Sequence, residues 1–210
     1  MPVLKFNPTD NESAWAVWRI TETEHELKDA AREQCPAELA SPTKRLEFLA
    51  ARVLVRSICH HFNLGYVGIA KEPSGKPYLP NHRHFISLTH SFPYVAAQLD
   101  VAQPVGVDLE QPKEKLTRVA SRVLNQHELQ HANNHLTTLC VYWCAKESLY
   151  KIQGARGLSF QSHLAVDEFT LQPQGLLTGH ILTDAQVHAS LRYFVEPDYV
   201  LVITEKIHSH

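Results

Sequence analysis

The sequence predicts two similar α+β halves that meet near residues 100–105. Two observations carry this. A helix-period apolar pattern followed by several short strand-like runs occurs twice, in the same order. The chain is also long enough, at 210 residues, for one large domain or two small ones fused.

The elements follow in order. Residues 4–6 and 15–20 are rich in β-branched and aromatic side chains and read as strands. Ser41-Pro42 is a helix start, with serine as cap and proline at the first helical position. The helix runs to about residue 61, and Leu46, Leu49, Ala50 and Val53 recur at its period. Residues 66–70 are expected as a strand, Pro73-Ser74-Gly75-Lys76-Pro77 as a turn, and 84–88, 94–99 and 104–110 as further strands. In the second half a polar helical stretch covers 116–133 and a strongly periodic helix runs from about 135 to 153. Strand-like segments follow at 164–170, 176–183, 190–195 and 199–204.

Composition narrows the function classes. With 44% apolar and 20% charged residues the chain can bury a core and is not disordered. A net charge of −2 argues against general nucleic-acid binding, which needs a large Lys/Arg excess, but leaves room for a local basic groove. No run approaches the roughly 20 apolar residues of a membrane span, and Met1-Pro2-Val3-Leu4-Lys5 starts no secretory signal. Cys35, Cys59, Cys140 and Cys144 have no framework spacing, so reduced thiols in the cytoplasm are expected.

Three features carry chemistry. In Val105-Gly106-Val107-Asp108-Leu109-Glu110, strand alternation puts Asp108 and Glu110 on one face. That pair fits a hard cation, or equally a solvated polar face. In the later helix Leu136, Leu139, Cys140 and Trp143 form an apolar stripe whose continuation is Glu147, then Tyr150 and Lys151. Glu147 is therefore expected near the centre of a buried face, held by a metal or by Lys151 one turn on. Arg45, Arg52 and Arg56 project within about 20° of one direction, at 100° per residue. They form either a phosphate-binding ridge or a solvated charged face. Lys76 in its turn and Thr89-His90-Ser91 at a strand end add cations and donors suited to an anion.

Four segments together resemble the larger, surfactin-synthetase-activating class of 4′-phosphopantetheinyl transferases, over nearly the whole chain. They are Gly75-Lys76-Pro77, Phe85-Ile86-Ser87-Leu88-Thr89-His90-Ser91, Gly106-Val107-Asp108-Leu109-Glu110 and Trp143-Cys144-Ala145-Lys146-Glu147-Ser148-Leu149-Tyr150-Lys151. The last two are the specific ones. Thr89 stands where the family usually has serine, and keeps the hydroxyl. Residues 44–52 resemble the family's first helix.

The resemblance implies a pseudo-duplicated fold, each half a long helix on an antiparallel sheet, with the active site between the halves 1–102 and 103–210. It implies transfer of the phosphopantetheine arm of coenzyme A to a serine of an apo carrier protein (acyl, polyketide or peptidyl), releasing adenosine 3′,5′-bisphosphate. Asp108, Glu110 and Glu147 would hold one Mg²⁺, with Mn²⁺ able to substitute, and Glu147 would act as base directly or through water. Lys151 would serve the leaving phosphate. Lys76, Thr89 and His90 would grip the coenzyme's phosphates, with Arg45 and Arg52 in its 3′-phosphate region. A monomer follows, because one chain supplies both halves of the site. Lys113, Lys115, Arg118 and Arg122 are either a dock for an acidic carrier or a solvated helix and linker.

His127, His131 and His135, followed by Cys140 and Cys144, imitate a zinc cluster. Asn133-Asn134 is expected to break the helix between them, and Cys140 belongs to the apolar stripe. Two rival functions are another Mg²⁺-dependent phosphotransfer enzyme and a non-catalytic carrier-binding module. No Walker-type loop supports the first, and the three carboxylates with Lys151 argue against the second.

Overall fold

A computed structural model of the chain describes residues 3–8, 13–154 and 157–209, with backbone only for Val3 and Ser209. Met1 and Pro2, read above as part of the N-terminus, lie outside them. The chain divides into two compact units, Met1–Ala102 and Gln103–His210. Both are helix-on-sheet layers of α+β type.

In the first unit the order is β1 (Val3–Pro8), β2 (Ala14–Arg19), α1 (Glu24–Ala31), α2 (Pro42–His61), β3 (Ala70–Lys71), β4 (Pro77–Tyr78), β5 (Phe85–Ser91) and β6 (Tyr94–Asp100). The strands form one sheet ordered β1-β2-β6-β5-β4-β3, antiparallel throughout. Ser41 caps α2 and accepts from the Lys44 amide, with Pro42 at the first helical position where no N–H is missed. Leu49, Ala50, Val53, Leu54 and Ile58 of α2 bury against Trp18, Ile86, Val95 and Leu99 of the sheet. The expected strand at 66–70 is a loop up to Ala70, because Gly68 adopts φ +109 and breaks the extended run.

The sequence reading missed α1. Its signal was present: Thr23 and Glu26 form a capping box, each side chain bonding the other's backbone N–H.

In the second unit β7 (Val107–Glu110) leads to α3 (Lys115–Val119), a 3-10 turn (Ala120–Arg122), α4 (Gln126–Ala132) and α5 (Leu136–Gln153). Then come α6 (Phe160–His163), β8 (Leu164–Val166), β9 (Gln174–Ile181), β10 (Val187–Val195) and β11 (Val200–Ser209). The sheet runs β7-β11-β10-β9-β8, again antiparallel, with β7 at one edge. The break between α4 and α5 falls at Asn133 and Asn134, both left-handed. His135 then caps α5 through Nδ1, and Gly154 at φ 65 ends it. The strand expected at 164–170 stops at Val166; beyond it Phe169 and Leu171 pack on the core as irregular chain.

The stripe expected on α5 needs correcting. Leu139 and Cys140 are buried, but Leu136, Trp143, Glu147, Tyr150 and Lys151 are half-buried. The deeply buried side runs through Thr138, Val141, Tyr142, Ala145, Leu149 and Ile152, roughly opposite Glu147 at 100° per residue. The helix is apolar almost all round, so hydrophobic period alone identifies its core face poorly.

Candidate active site

In the second unit the site is built where α5 crosses β7. A Cβ placed on Gly106 would lie 2.0 Å from the Ser148 carbonyl oxygen. Only glycine lets the helix backbone come this close to the chain entering β7, and that approach sets the rest. Lys151 Nζ donates to Asp108 Oδ1 at 2.8 Å and to the Val107 carbonyl at 2.8 Å. Cys140 Sγ, about two turns before Ser148 on the helix, lies 3.6 Å from the Glu110 carbonyl oxygen. Gly106→Ala should therefore shift α5, costing roughly 1–3 kcal/mol as overpacking does. A melting temperature equal to wild type would refute that close contact.

The electrostatics follow from this crossing. Burial raises the Glu147 carboxyl to about 7, helped by the charges of Asp108 and Glu110 and opposed by Lys151. Asp108 is 5% exposed. Lys151 is thus engaged with Asp108, not with Glu147 as helical spacing allowed, and Glu147 is left short of positive charge. Asp108 and Glu110 lie close enough to act on the charge of Glu147, and carboxylate oxygens are the ligands a hard divalent cation takes. Among the described residues no group of three or more His, Cys, Asp or Glu forms a ready-made metal cage.

In the first unit His90 ends β5 and places Nδ1 3.3 Å from Glu47 Oε2. Lys44 Nζ reaches the same oxygen at 2.8 Å. Thr89 is buried within β5, and Lys76 is half-buried in the turn leading into β4. Burial holds the Lys76 ammonium below the usual lysine range, against the pull of Glu72. The arginine ridge of α2 is answered by acids from the segment before it. Arg45 pairs with Glu24 at 2.9 Å and also donates to the Leu39 and Ala40 carbonyls. Arg52 pairs with Glu33 at 2.9 Å and lies 3.2 Å above the Phe48 ring. Arg56 donates to the Ala30 carbonyl. Tyr66 donates to the other Glu33 oxygen.

Sequence reasoning missed a buried ion pair beside the site. Lys146, 0% exposed, donates to Glu128 at 2.6 Å and to the carbonyls of Val123 and Phe160 at 3.0 Å each. Glu128 also accepts from the amides of Asn125 and Val166, so both of its oxygens have donors. The Asn125–Glu128 capping box was the available signal. Lys113, Lys115, Arg118 and Arg122 are all exposed, and Lys115 approaches Glu110 at 3.9 Å. The three histidines that imitate a zinc cluster go to three different partners. His127 faces Glu168, His131 meets the Tyr142 hydroxyl at 2.8 Å, and His135 caps α5.

Residues 104–204, the stretch holding this crossing, match the model of the 4′-phosphopantetheinyl transferase superfamily. The chain is 27% identical over 169 residues to the Bacillus subtilis protein named 4′-phosphopantetheinyl transferase ffp, covering 74% of this chain and 71% of that one. It is 30% identical over 94 residues to the Haemophilus influenzae protein named "Putative 4′-phosphopantetheinyl transferase", covering 41% of this chain and 40% of that one.

Proposed function

We propose that the chain, whose residues 104–204 match the model of the 4′-phosphopantetheinyl transferase superfamily, moves the phosphopantetheine arm of coenzyme A onto a serine of an apo carrier protein. The observation that carries this reading is the crossing of α5 and β7 at Gly106, which joins Lys151 to Asp108 and leaves the Glu147 carboxyl buried enough to be raised to about 7. A base needs a pKa near the working pH, and this one is placed there by burial and like charge.

In the reaction the serine Oγ bonds to the β-phosphorus and the bond to adenosine 3′,5′-bisphosphate breaks. Glu147 takes the serine proton. Lys151 has three donors, two of which go to Asp108 and Val107, and the remaining one serves the departing phosphate. Asp108, Glu110 and Glu147 are the residues that would hold Mg²⁺, or Mn²⁺ in its place. When bound, that ion supplies charge neutralisation for the pyrophosphate. In the first unit Lys76, Thr89 and His90 take the coenzyme's phosphates. Arg45 and Arg52 serve the 3′-phosphate region: a guanidinium has five N–H donors, enough to keep its carboxylate and also donate to a phosphate oxygen.

The exposed Lys113, Lys115, Arg118 and Arg122 would meet the acidic surface of a carrier (fatty-acid, polyketide or peptidyl). As a member of the larger class the protein would act as a monomer in the cytoplasm, where its four free cysteines stay reduced. Incubation with coenzyme A, Mg²⁺ and apo acyl carrier protein should add the mass of one phosphopantetheine arm to the carrier. Cleavage of coenzyme A without that gain, or binding without either, would overturn the reading.

A further inference from the structure

We propose that Glu47 is a positioning residue for coenzyme binding, holding His90 and Lys44 so that both face one phosphate; this rests on the transferase reading above. Glu47 sits in α2 on the side that packs against the sheet, and its side chain is only 4% exposed. A carboxylate at such a position is costly unless donors surround it. Three do, from separate stretches of the first unit. Lys44 Nζ lies 2.8 Å from Oε2, His90 Nδ1 lies 3.3 Å from the same oxygen, and the Phe92 amide donates to Oε1 at 3.2 Å.

The two cationic partners are not buried with it. The side chains of Lys44 and His90 are 53% and 46% exposed, so each reaches from a buried anchor to the surface. Because Nδ1 of His90 faces the carboxylate, Nε2 lies on the far side of the ring, and the protonated ring, whose charge Glu47 balances, carries a second N–H there to give to a phosphate oxygen. The Phe92 bond ties the tip of the β5–β6 hairpin to the first turns of α2, so the tip carrying His90 and the turn carrying Lys44 are held as one piece. Neither side chain is oriented by packing of its own, since both are about half exposed. The orientation comes from Glu47.

The role separates from catalysis in its kinetics. Glu47 lies in the first unit, remote in sequence from the serine-activating carboxylates of β7 and α5, so its loss should appear in coenzyme binding. In Glu47→Gln the shape is kept and the charge is removed. KM for coenzyme A should rise about tenfold, the size expected when charge-assisted contacts weaken, while kcat changes less than about twofold. In a His90→Ala or Lys44→Ala background the same substitution should do clearly less, because Glu47 acts through those two side chains. Glu47→Asp, which keeps the charge, should recover part of the affinity.

The deciding experiment is calorimetric titration of coenzyme A, and of dephospho-coenzyme A, into the full chain and its Glu47→Gln form, beside the transfer assay and a thermal melt. Weaker coenzyme binding by the variant supports the proposal, and a defect confined to coenzyme A rather than its dephospho form assigns the 3′-phosphate as the anion. Equal affinity in both proteins, or a loss in kcat alone, overturns it. If the wild type binds coenzyme A, the variant binds it more weakly and neither modifies a carrier, the transferase reading fails and the role of Glu47 stands. If the wild type modifies the carrier and both forms bind coenzyme A alike, the reverse holds.

Discussion

Replacing Lys146 by methionine is expected to destabilise the chain by roughly 3–5 kcal/mol, far more than any exposed charge would. Lys146 is fully buried, and burial pulls its pKa down against the hydrogen bond and charge of Glu128. The pair itself is weak evidence of net stability, because desolvating two charges offsets most of their attraction. Breaking it is another matter. Methionine fills the space but leaves the Glu128 carboxylate, itself 2% exposed, with only backbone donors, and leaves the Val123 and Phe160 carbonyls without their shared ammonium. Those carbonyls precede α4 and open α6, so the cost falls on the chain entering α4 and on the first turn of α6 as well as on α5. Adding Glu128→Gln should recover part of the loss, since it removes the unpaired charge while its one amide oxygen still accepts from the amide of either Asn125 or Val166. Urea denaturation of the single and double variants measures both terms. A single variant within about 1 kcal/mol of wild type would mean that the pair is not buried as described.

The long helices and their ends were legible because their signals are local. Ser41-Pro42 before α2, and the Asn133-Asn134 break followed by Gly154 around α5, depend on residues within one turn. The carboxylates of β7 were legible through strand alternation, which needs only a period of two. What escaped depends on contacts distant in sequence. Lys151 chooses Asp108, forty-three positions away, over Glu147 at four, because the close approach at Gly106 brings β7 within its reach. Arg45 and Arg52 form a ridge that sequence spacing finds correctly, yet it is answered by Glu24 at the start of a helix that was overlooked and by Glu33 just past its end. Glu47 looks like one half of an ordinary i,i+3 pair with Lys44 until the β5 hairpin brings His90 and the Phe92 amide to it. The face of α5 was misread for a different reason. A helix surrounded by apolar neighbours has little polar side to mark direction, so Glu147 was expected deeper than it lies.

Glu147→Gln should abolish transfer, by on the order of 10²–10⁴-fold, while changing how stability depends on pH. The Glu147 carboxyl titrates near 7 in the folded chain against an ordinary 4.5, so between those values the folded state holds a proton the unfolded state has released. Its contribution is therefore full below about 4.5 and is lost as pH rises through 7. A rise of that size corresponds to at most about 3 kcal/mol, reduced because the side chain is partly exposed to screening water. Glu24 and Glu26, whose pKa values are lowered by their hydrogen bonds, pull the other way at more acidic pH. They are the same in both proteins, so the difference between wild type and Glu147→Gln isolates the one group. Urea midpoints from pH 5 to 8 should fall for wild type relative to the variant. Magnesium should restore the wild type at pH 8 and have little effect at pH 5, because a cation that needs the carboxylate ionised binds only where the proton has left. Parallel stability profiles for the two proteins would show that Glu147 is neither desolvated nor crowded by Asp108 and Glu110. The chemical case for it as the base would then fail together with the electrostatic one.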